Sequence, residues 1–429
     1  MSQSQALIKE FLKTPQLLTF GLSLSTFNFQ FSTFGLSLST FTFQFSTTKA
    51  FIMRKIILIA TAVFLFTACL QEQKTNIILD NPSDFDRVNE MVEVDISGLE
   101  LDFAGKSYVL TGQNGTEVAY QALKKNGNVY AIIFQANIKA NSSFSYTITE
   151  GVPAEIAPRT FARYVPERKD DFAWENDIAA YRMYGPALRR ENPSNGVDLW
   201  LKRTDELIVD KFYNDELNNK RSYHIDHGQG LDCYKVGHTL GAGGIAPYTS
   251  QLLVGDHYNT QELIFSGPLR SEFKLTYDTV KIDGAIYKQT ITITTDAGSI
   301  MNKAVVKYEG NDMPLKLAAG IFLHDGKGVK LEDAKNGLIG YAEDAVSEIE
   351  GLPSGRNYVG VYIPGASDIR LEGDHFFILK DYRLGHEFTY YFGGGWSKWK
   401  FPNDEDWFAE LNRFAGIKRE PLKVIIERN

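Results

Sequence analysis

The stretch RSEFKLTYDTVKIDGAIYKQTITIT, residues 270–294, decides the fold that the sequence predicts. Apolar and polar residues alternate along Arg270–Tyr277 and again along Ala285–Thr294, and this period of two is that of a β-strand with one buried face. Asp283 and Gly284 lie between the two segments, and Asp-Gly is typical of a tight turn. The stretch therefore predicts two long strands joined by a turn.

Alternating segments of the same kind lie on both sides of this stretch, separated by turn residues. They are Val92–Ile96, Ser107–Leu110, Val129–Gln135, Phe144–Thr149, Glu262–Phe265, Ala304–Tyr308, Lys316–Leu323, Tyr358–Ile363 and the final LKVII. Helical spacing occurs in Val197–Tyr213 and Asp404–Phe414. With 43% hydrophobic and 13% aromatic residues in a chain of 429, this favours an all-β protein with few helices.

The first 52 residues carry a tandem repeat. Thr19–Ser32 recurs as Thr33–Ser46 and differs at one position of the repeat, where Asn28 is replaced by Thr42. So close a copy, shortly before a second methionine, predicts that residues 1–52 are a non-native leader and that the chain proper starts at Met53. A pair of amphipathic β-strands is the alternative, and such a pair alone is only marginally stable.

Residues 53–69 read MRKIILIATAVFLFTAC, with a basic start, an apolar run and small residues before Cys69. This is the pattern of a secretory signal, and the run is too short for a stable transmembrane helix. The small residues resemble a bacterial lipobox, which implies that lipidated Cys69 is the mature N-terminus. We expect an exported lipoprotein of the cell envelope, held at the outer membrane and facing the periplasm. An ordinary cleaved signal peptide is the alternative.

Removing residues 1–68 takes away five basic residues and one acidic residue, so the formal net charge changes from −8 to −12. This charge argues against nucleic acid as a partner. An anionic ligand needs a local cluster of basic residues. Contact with a membrane is expected only through the N-terminal lipid. The only other cysteine is Cys233, so no disulfide is expected.

The segment YHIDHGQGLDCYKVGHTLGAGG, residues 223–244, holds three of the seven histidines of the chain and is called the histidine segment below. Imidazole, phenol, ammonium and carboxylate groups are those that general acid–base catalysis uses, and glycines let the backbone come close to a ligand. We therefore predict that this segment forms the active site. The candidate catalytic residues are Tyr223, His224, His227, Asp232, Lys235 and His238.

Two other interpretations of the histidine segment stay open. His-x-x-His with a third histidine can bind zinc, but the HExxH signature is absent, so neither a metal nor another cofactor is expected. A solvated glycine-rich loop with incidental histidines is the second interpretation. The segment also lacks the Gly-Lys-Ser/Thr end of a phosphate-binding loop, so a nucleotide is not expected.

Candidates for substrate binding lie in three further segments. In DFAWENDIAAYRMYGPAL, residues 171–188, Arg182 and Tyr184 share one face of an extended strand. A guanidinium beside a phenol suits a carboxylate or a sulfate. The alternative is a salt bridge from Arg182 to Glu175 or Asp177. Glu175 is itself counted as a candidate for substrate binding.

Arg270 and Glu272 share one face of their strand, where they either line a groove or pair with each other. Trp396 and Lys398 follow a glycine run in GGGWSKW, where an aromatic ring either stacks on a sugar or fills the core. We count these four residues as candidates for substrate binding.

Four motifs, WENDIAAYRMYGPAL, YHIDHGQGLDCYKVGHTLGAGG, SGPLRSEFKLTY and GGGWSKW, occur in this order. Together they resemble a family of exported bacterial proteins that carry a domain of unknown function and are encoded among polysaccharide-degradation genes. The resemblance covers about residues 76–429. It implies a galactose-mutarotase-like β-supersandwich behind a small β domain. We therefore expect an immunoglobulin-like sandwich in residues 70–152 and the supersandwich, with the active site, in residues 153–429.

One activity in this family is that of an oligosaccharide dehydratase on ulvan fragments, which removes water from a non-reducing-end uronic acid to leave a 4,5-unsaturated residue. The resemblance therefore implies a carbon–oxygen lyase with an anionic oligosaccharide as substrate. A histidine suits the base or the acid of such a reaction, and Arg182 or Lys235 would neutralise the carboxylate. A glycoside hydrolase with Glu175 and Glu272 as paired carboxylates stays open, as does a non-catalytic glycan-binding lipoprotein.

Overall fold

The structure is a computed structural model that describes residues 74–428 except 192–193, 312–313 and 348–350, and the backbone of residues 25–29 and 41–45. The chain divides into two compact units, residues 1–73 and residues 74–429. In the first unit, β1 (Ser25–Phe29) pairs antiparallel with β2 (Phe41–Phe45), one strand in each copy of the repeat. The signal segment and Cys69 lie outside the described residues, so the leader and the lipoprotein anchor stay predictions.

The second unit consists mainly of β-strands. In chain order they are β3 (Thr75–Asn81), β4 (Arg87–Asp95), β5 (Tyr108–Gly112), β6 (Tyr120–Lys125), β7 (Asn128–Ile138), β8 (Ser142–Glu150), β9 (Thr160–Val165), β10 (Asp171–Asn176), β11 (Ala179–Met183), β12 (Asp198–Lys202), β13 (Gly230–Asp232), β14 (Ala242–Tyr248), β15 (Thr260–Ser266), β16 (Arg270–Ile282), β17 (Ala285–Asp296), β18 (Asn302–Glu309), β19 (Leu315–Phe322), β20 (Val329–Asp333), β21 (Leu338–Val346), β22 (Pro353–Tyr362), β23 (Asp368–Glu372), β24 (His375–Tyr382), β25 (Phe388–Trp396) and β26 (Lys423–Arg428). The helices are α1 (Val209–Leu217) and α2 (Asp404–Arg419).

Strands β16 and β17 form the predicted antiparallel pair, with Phe273 opposite Ile293 in the core. Asp283 and Gly284 join them with φ angles of 47° and 84°. Two consecutive left-handed residues are what a two-residue hairpin turn requires, because its twist then matches that of the strands. The Asp-Gly turn prediction is therefore confirmed.

The small N-terminal sandwich packs the sheet β26-β3-β8-β5 against the sheet β4-β7-β6. Its core contains Ile77, Phe134 and Tyr146. The edge strand β26 comes from the C-terminus, and Ile426 pairs with Ile77 and packs on the same core. Chain order assigns this strand to residues 153–429, whereas tertiary pairing places it in the small sandwich.

The remaining strands form three sheets around the main core. The largest has the order β15-β16-β17-β18-β25-β22-β21-β20, and a second has the order β14-β19-β24-β23. The third, β13-β12-β11-β10-β9, is covered on one face by α1. Helix α2 packs on β21 and β22, where Gly340 and Gly360 leave room for the side chain of Leu411. The predicted fold class is confirmed: all-β, with a small immunoglobulin-like sandwich followed by a larger β-supersandwich and few helices.

The predicted helix over Val197–Tyr213 is wrong in its first half. Asp198–Lys202 is the buried strand β12, and the helix covers only Val209–Leu217. Both faces of β12 are buried, so its sequence lacks the regular alternation that marks a half-exposed strand. The C-terminal helix is confirmed and extends to Arg419, with the side chain of Asn403 capping its first turn. Within the described ranges, neither helix is long and apolar enough to span a membrane.

Candidate functional site

The five-stranded sheet β9–β13 has two chemically different faces. Phe172, Tyr181 and Leu199 point into the main core from one face. The face toward α1 instead carries buried charged residues, namely Asp171, Glu175, Arg182, Asp198, Lys202 and Asp232. A buried charge is tolerated when it is paired and hydrogen-bonded. This face therefore holds a layer of ion pairs between the sheet and α1.

Arg182 is the centre of this layer, and we call it and its three acidic neighbours the Arg182 network. Its Nη2 lies 2.6 Å from Asp198 Oδ2 and 2.8 Å from Asp232 Oδ2, and Nη1 lies 3.9 Å from Asp171 Oδ2. Burial opposes the charge of Arg182, but Tyr184, Asp198 and Asp232 hold its pKa well above the ordinary value. Burial also raises the pKa of the Asp171 carboxyl, against the effect of Arg182.

Aromatic rings enclose the guanidinium of Arg182. Its Cζ lies 4.7 Å from the ring centre of Tyr184, 5.2 Å from that of Trp200 and 5.9 Å from that of Tyr223. Only 2% of the residue is exposed. The structure thus corrects the predicted substrate-binding role of Arg182 and Tyr184. The guanidinium of Arg182 is already bound to carboxylates from other strands, and the ring of Tyr184 packs against it.

Glu175 is also structural, so its predicted substrate-binding role is corrected too. Its Oε2 lies 2.7 Å from Lys202 Nζ, and its Oε1 accepts hydrogen bonds from the backbone N–H groups of Ile208 (2.8 Å) and Val209 (2.7 Å). A carboxylate at this position satisfies unpaired donors at the start of α1. The alternative salt bridge of Arg182 with Glu175 or Asp177 is likewise wrong, since Asp177 pairs with Arg159.

His224 lies at the edge of the Arg182 network, where the network approaches the surface. Its Nδ1 is 2.9 Å from the backbone O of Asp232 and 3.8 Å from Asp232 Oδ2, and its side chain is 27% exposed. A carbonyl accepts only, so Nδ1 carries the proton and Nε2 is the basic nitrogen. The backbone N–H of Asp232 donates to the carbonyl of Tyr223 at 2.8 Å and closes this loop. The His224 ring is therefore oriented by a loop whose two ends are hydrogen-bonded to each other.

A second imidazole, His324, contacts the same segment from the end of β19. Its Nδ1 lies 2.6 Å from Glu343 Oε1, and its Nε2 lies 2.8 Å from the backbone O of Lys235. Both ring nitrogens face acceptors, which an imidazolium satisfies with two N–H groups. Burial opposes the charge, but the hydrogen bond and charge of Glu343 prevail and raise the pKa of His324.

The side chain of Lys235 extends into solvent while its backbone is held by His324. We call His224, Lys235, His324 and Glu343 the two-histidine site, because both imidazoles bind backbone carbonyls of the histidine segment, those of Asp232 and Lys235. It contains an oriented base, an exposed cation and a carboxylate-bound imidazole. The sequence predicted His224 and Lys235 and missed the other two. The one available signal was the position of His324 directly after the predicted strand Lys316–Leu323.

Two of the predicted catalytic histidines have surroundings of their own. His227 is exposed, and it lines a shallow surface depression beside Tyr223. His238 is exposed as well, and its Nε2 lies 3.2 Å from the backbone O of Gly255. The histidine segment continues from β13 to β14, so its ends serve different parts of the fold.

The other predicted substrate-binding residues are not part of the two-histidine site. Arg270 pairs with Asp296 at 2.5 Å and with Glu93 of the small sandwich, so the groove prediction is corrected to a contact with that sandwich. Glu272 accepts from Thr294 Oγ1 at 2.9 Å. Glu175 and Glu272 lie in different sheets, and Glu175 is already bound to Lys202, which argues against these two residues as a catalytic pair of carboxylates.

Trp396 is a core residue, since only 1% of it is exposed and its Nε1 donates to Ser354 O at 2.6 Å. Of the two interpretations of this ring, the one in which it fills the core is correct, because β25 is buried along this part of its length. Lys398 is exposed, and its Nζ lies 5.1 Å from the Trp396 ring centre. Among the residues that the structure describes, no group of three or more His, Cys, Asp or Glu could hold a metal ion. The expectation of no cofactor stays a prediction.

This chain matches a protein family and resembles one relative in sequence. Residues 79–424 match the family described as Domain of unknown function (DUF4861). "Uncharacterized protein P7" of Formosa agariphila is 26% identical over 404 residues, which are 85% of this chain and 97% of that protein.

The chain is also similar to two solved structures from Enterococcus faecalis. One is a protein in the glycosyl hydrolase family 38, with a TM-score of 0.43, 9% identity, and coverage of 84% of this chain and 48% of that one. The other is an alpha-mannosidase from strain V583, with a TM-score of 0.39, 9% identity, and coverage of 82% and 46%. The chain spans about half the length of each, and likeness at this level says nothing about activity.

We expect Glu175→Ala to destabilise the fold by about 3–5 kcal/mol, because it leaves the ammonium of Lys202 buried without its carboxylate. Denaturant unfolding measures this loss in free energy of unfolding. The matched double variant Glu175→Met, Lys202→Met should recover much of the stability, since it removes both charges. A single variant as stable as the wild type would contradict the structural role of Glu175.

We expect His324 to titrate above 6.5, the pKa of an unperturbed imidazole. A raised folded-state pKa means that protonated His324 stabilises the fold fully below pH 6.5, and that this contribution is lost as pH rises through the folded-state pKa. NMR titration of the ring protons, with unfolding of wild type and His324→Gln across this range, measures both effects. His375 is the internal control, because burial lowers its pKa; the reverse order of the two would contradict the assignment.

Proposed function

This chain belongs to the DUF4861 family, and we propose that it is a carbon–oxygen lyase. It removes water from the non-reducing-end uronic acid of ulvan-type oligosaccharides and leaves a 4,5-unsaturated uronate. The single observation that carries the proposal is the two-histidine site. An oriented basic imidazole, His224, and an exposed ammonium, Lys235, lie on one segment that is held at both ends.

The reaction needs a base and a cation. The base takes the proton from C5, which the neighbouring carboxylate acidifies, and the C5 electron pair forms the C4–C5 double bond as the C4–O bond breaks. The hydroxyl leaves as water once it has gained a proton. A cation near the carboxylate stabilises the charge that develops on it, which is usually the largest electrostatic contribution.

The residues of the two-histidine site match these requirements. Nε2 of His224 takes the C5 proton, and the resulting imidazolium returns that proton to the departing hydroxyl, so one residue completes the loss of water. Lys235 pairs with the uronate carboxylate and supplies the local positive charge that a strongly acidic chain needs. His324 and Glu343 act as positioning residues, because they hold the backbone of Lys235.

The test is incubation of the full chain with saturated ulvan oligomers. We expect products lighter by one water and a rise in ultraviolet absorbance from the conjugated uronate, with no new reducing ends. His224→Gln should lower turnover by about 10²-fold or more, the usual scale for a positioned acid or base. Lys235→Met should abolish the preference for uronate-ended over carboxyl-reduced oligomers, and Lys235→Arg should restore part of it.

His386→Ala is the matched control, since His386 is an exposed turn histidine outside the two-histidine site. It should leave turnover unchanged. New reducing ends without loss of water would replace the lyase by a hydrolase. Binding of oligomers with neither product would replace it by a non-catalytic glycan-binding protein.

We propose that the protein is exported, because the proposed substrate is a polysaccharide fragment that lies outside the cytoplasm. This proposal rests on residues 53–69, with lipidated Cys69 as the mature N-terminus of an outer-membrane lipoprotein. Expression from Met53 in a Gram-negative host should give an acylated, membrane-associated product. Cys69→Ala should block acylation and change both processing and fractionation. Unchanged processing and fractionation would rule out the lipid anchor.

A further inference from the structure

A cavity of about 560 Å³ lies between β14 and the inner face of β16 and β17. Among the described residues, its lining includes none from the two-histidine site. Aliphatic side chains such as Ile245 and Ile291 and the rings of Tyr277 and Tyr390 form much of its wall. This volume is within the range of small-molecule sites, which are mainly apolar with a few placed polar groups.

His257 is one of those polar groups. Its side chain is 1% exposed, its Nδ1 lies 2.9 Å from Asp256 Oδ1, and Arg189 Nε donates to the same oxygen at 2.9 Å. The carboxylate places the proton on Nδ1, so Nε2 is an acceptor. Nε2 is buried and has no hydrogen-bond partner within the part of the chain that the structure describes.

Asn195 is the second polar group on the same wall, with 8% of the residue exposed. Its Nδ2 donates to the backbone O of Gly255, and this contact fixes the orientation of the amide. Oδ1 is thereby an acceptor, and it too is buried without a partner among residues 74–428 as described. Native proteins rarely leave buried polar atoms unpaired, so each such atom needs a physical account.

We infer that this cavity binds a neutral polyhydroxylated ring, a sugar unit of the kind that oligosaccharides carry. Two buried acceptors, His257 Nε2 and Asn195 Oδ1, require a ligand that brings hydrogen-bond donors, and hydroxyl groups do so. The apolar face of a sugar ring packs on tyrosine and isoleucine side chains. A uronate also carries hydroxyl groups, but its carboxylate finds no donor at these two acceptors, and Arg189 on the same wall is already bound to Asp256. A neutral ring is therefore the better fit. The inference does not depend on the lyase activity.

The experiment titrates the full chain with D-xylose, L-rhamnose and D-glucuronate, followed by calorimetry and saturation-transfer NMR. We expect saturable binding of the two neutral sugars and weaker binding of glucuronate. Asn195→Leu should weaken neutral-sugar binding by about fivefold to tenfold, which is the usual net contribution of one neutral hydrogen bond. Val254→Trp, at the rim of the cavity, should abolish binding without touching either acceptor, which covers the case that Asn195→Leu fails to fold.

His224→Gln separates this inference from the proposed function. It should remove turnover and leave sugar binding in the cavity unchanged. Binding that falls with His224→Gln but not with Val254→Trp would move the sugar to the two-histidine site and overturn the inference. Glucuronate bound more tightly than the neutral sugars would overturn the ligand class. No saturable binding of any sugar would mean that the cavity holds ordered water only.

Discussion

The ion pairs of Arg182 with Asp198 and Asp232 are the constraint on which the candidate active site depends. They join β11, β12 and β13 through one guanidinium that is closed off from water by Tyr184, Trp200 and Tyr223. A buried charge that loses its partner costs several kcal/mol, on the order of 3–5. The three strands therefore hold one register and one separation, and these fix the position of any residue attached to the strands.

The position of His224 depends on this strand geometry most directly. Its ring is bound to the backbone carbonyl of Asp232, whose side chain belongs to the Arg182 network. The loop that carries the histidine is closed at its base by a backbone hydrogen bond from Asp232 to Tyr223. Catalytic groups on loops need such a rigid support, because small displacements of a positioned base are costly in rate. In the proposed reaction the buried network positions His224, and its burial keeps it away from the substrate.

The second unit is tied together by contacts between residues far apart in sequence. Strand β26 returns the C-terminus to the N-terminal sandwich, and Arg270 of β16 pairs with Glu93 of β4. The small sandwich is thus completed by the last strand and joined to the larger sheets by a charge pair. This explains why residues 74–429 form one compact unit although their strands belong to separate sheets.

By itself the sequence made His224 and Lys235 candidate residues, and it determined the all-β class, the Asp-Gly hairpin of β16 and β17 and the C-terminal helix. Each of these depends on local spacing or turn chemistry, which a linear pattern records. Only the tertiary structure decided that Arg182 and Glu175 are structural, that β12 is a strand, and that His324 joins Glu343 beside Lys235. Those outcomes depend on partners many residues away. A buried charge looks in sequence like a charge offered to a ligand until its partner is placed beside it.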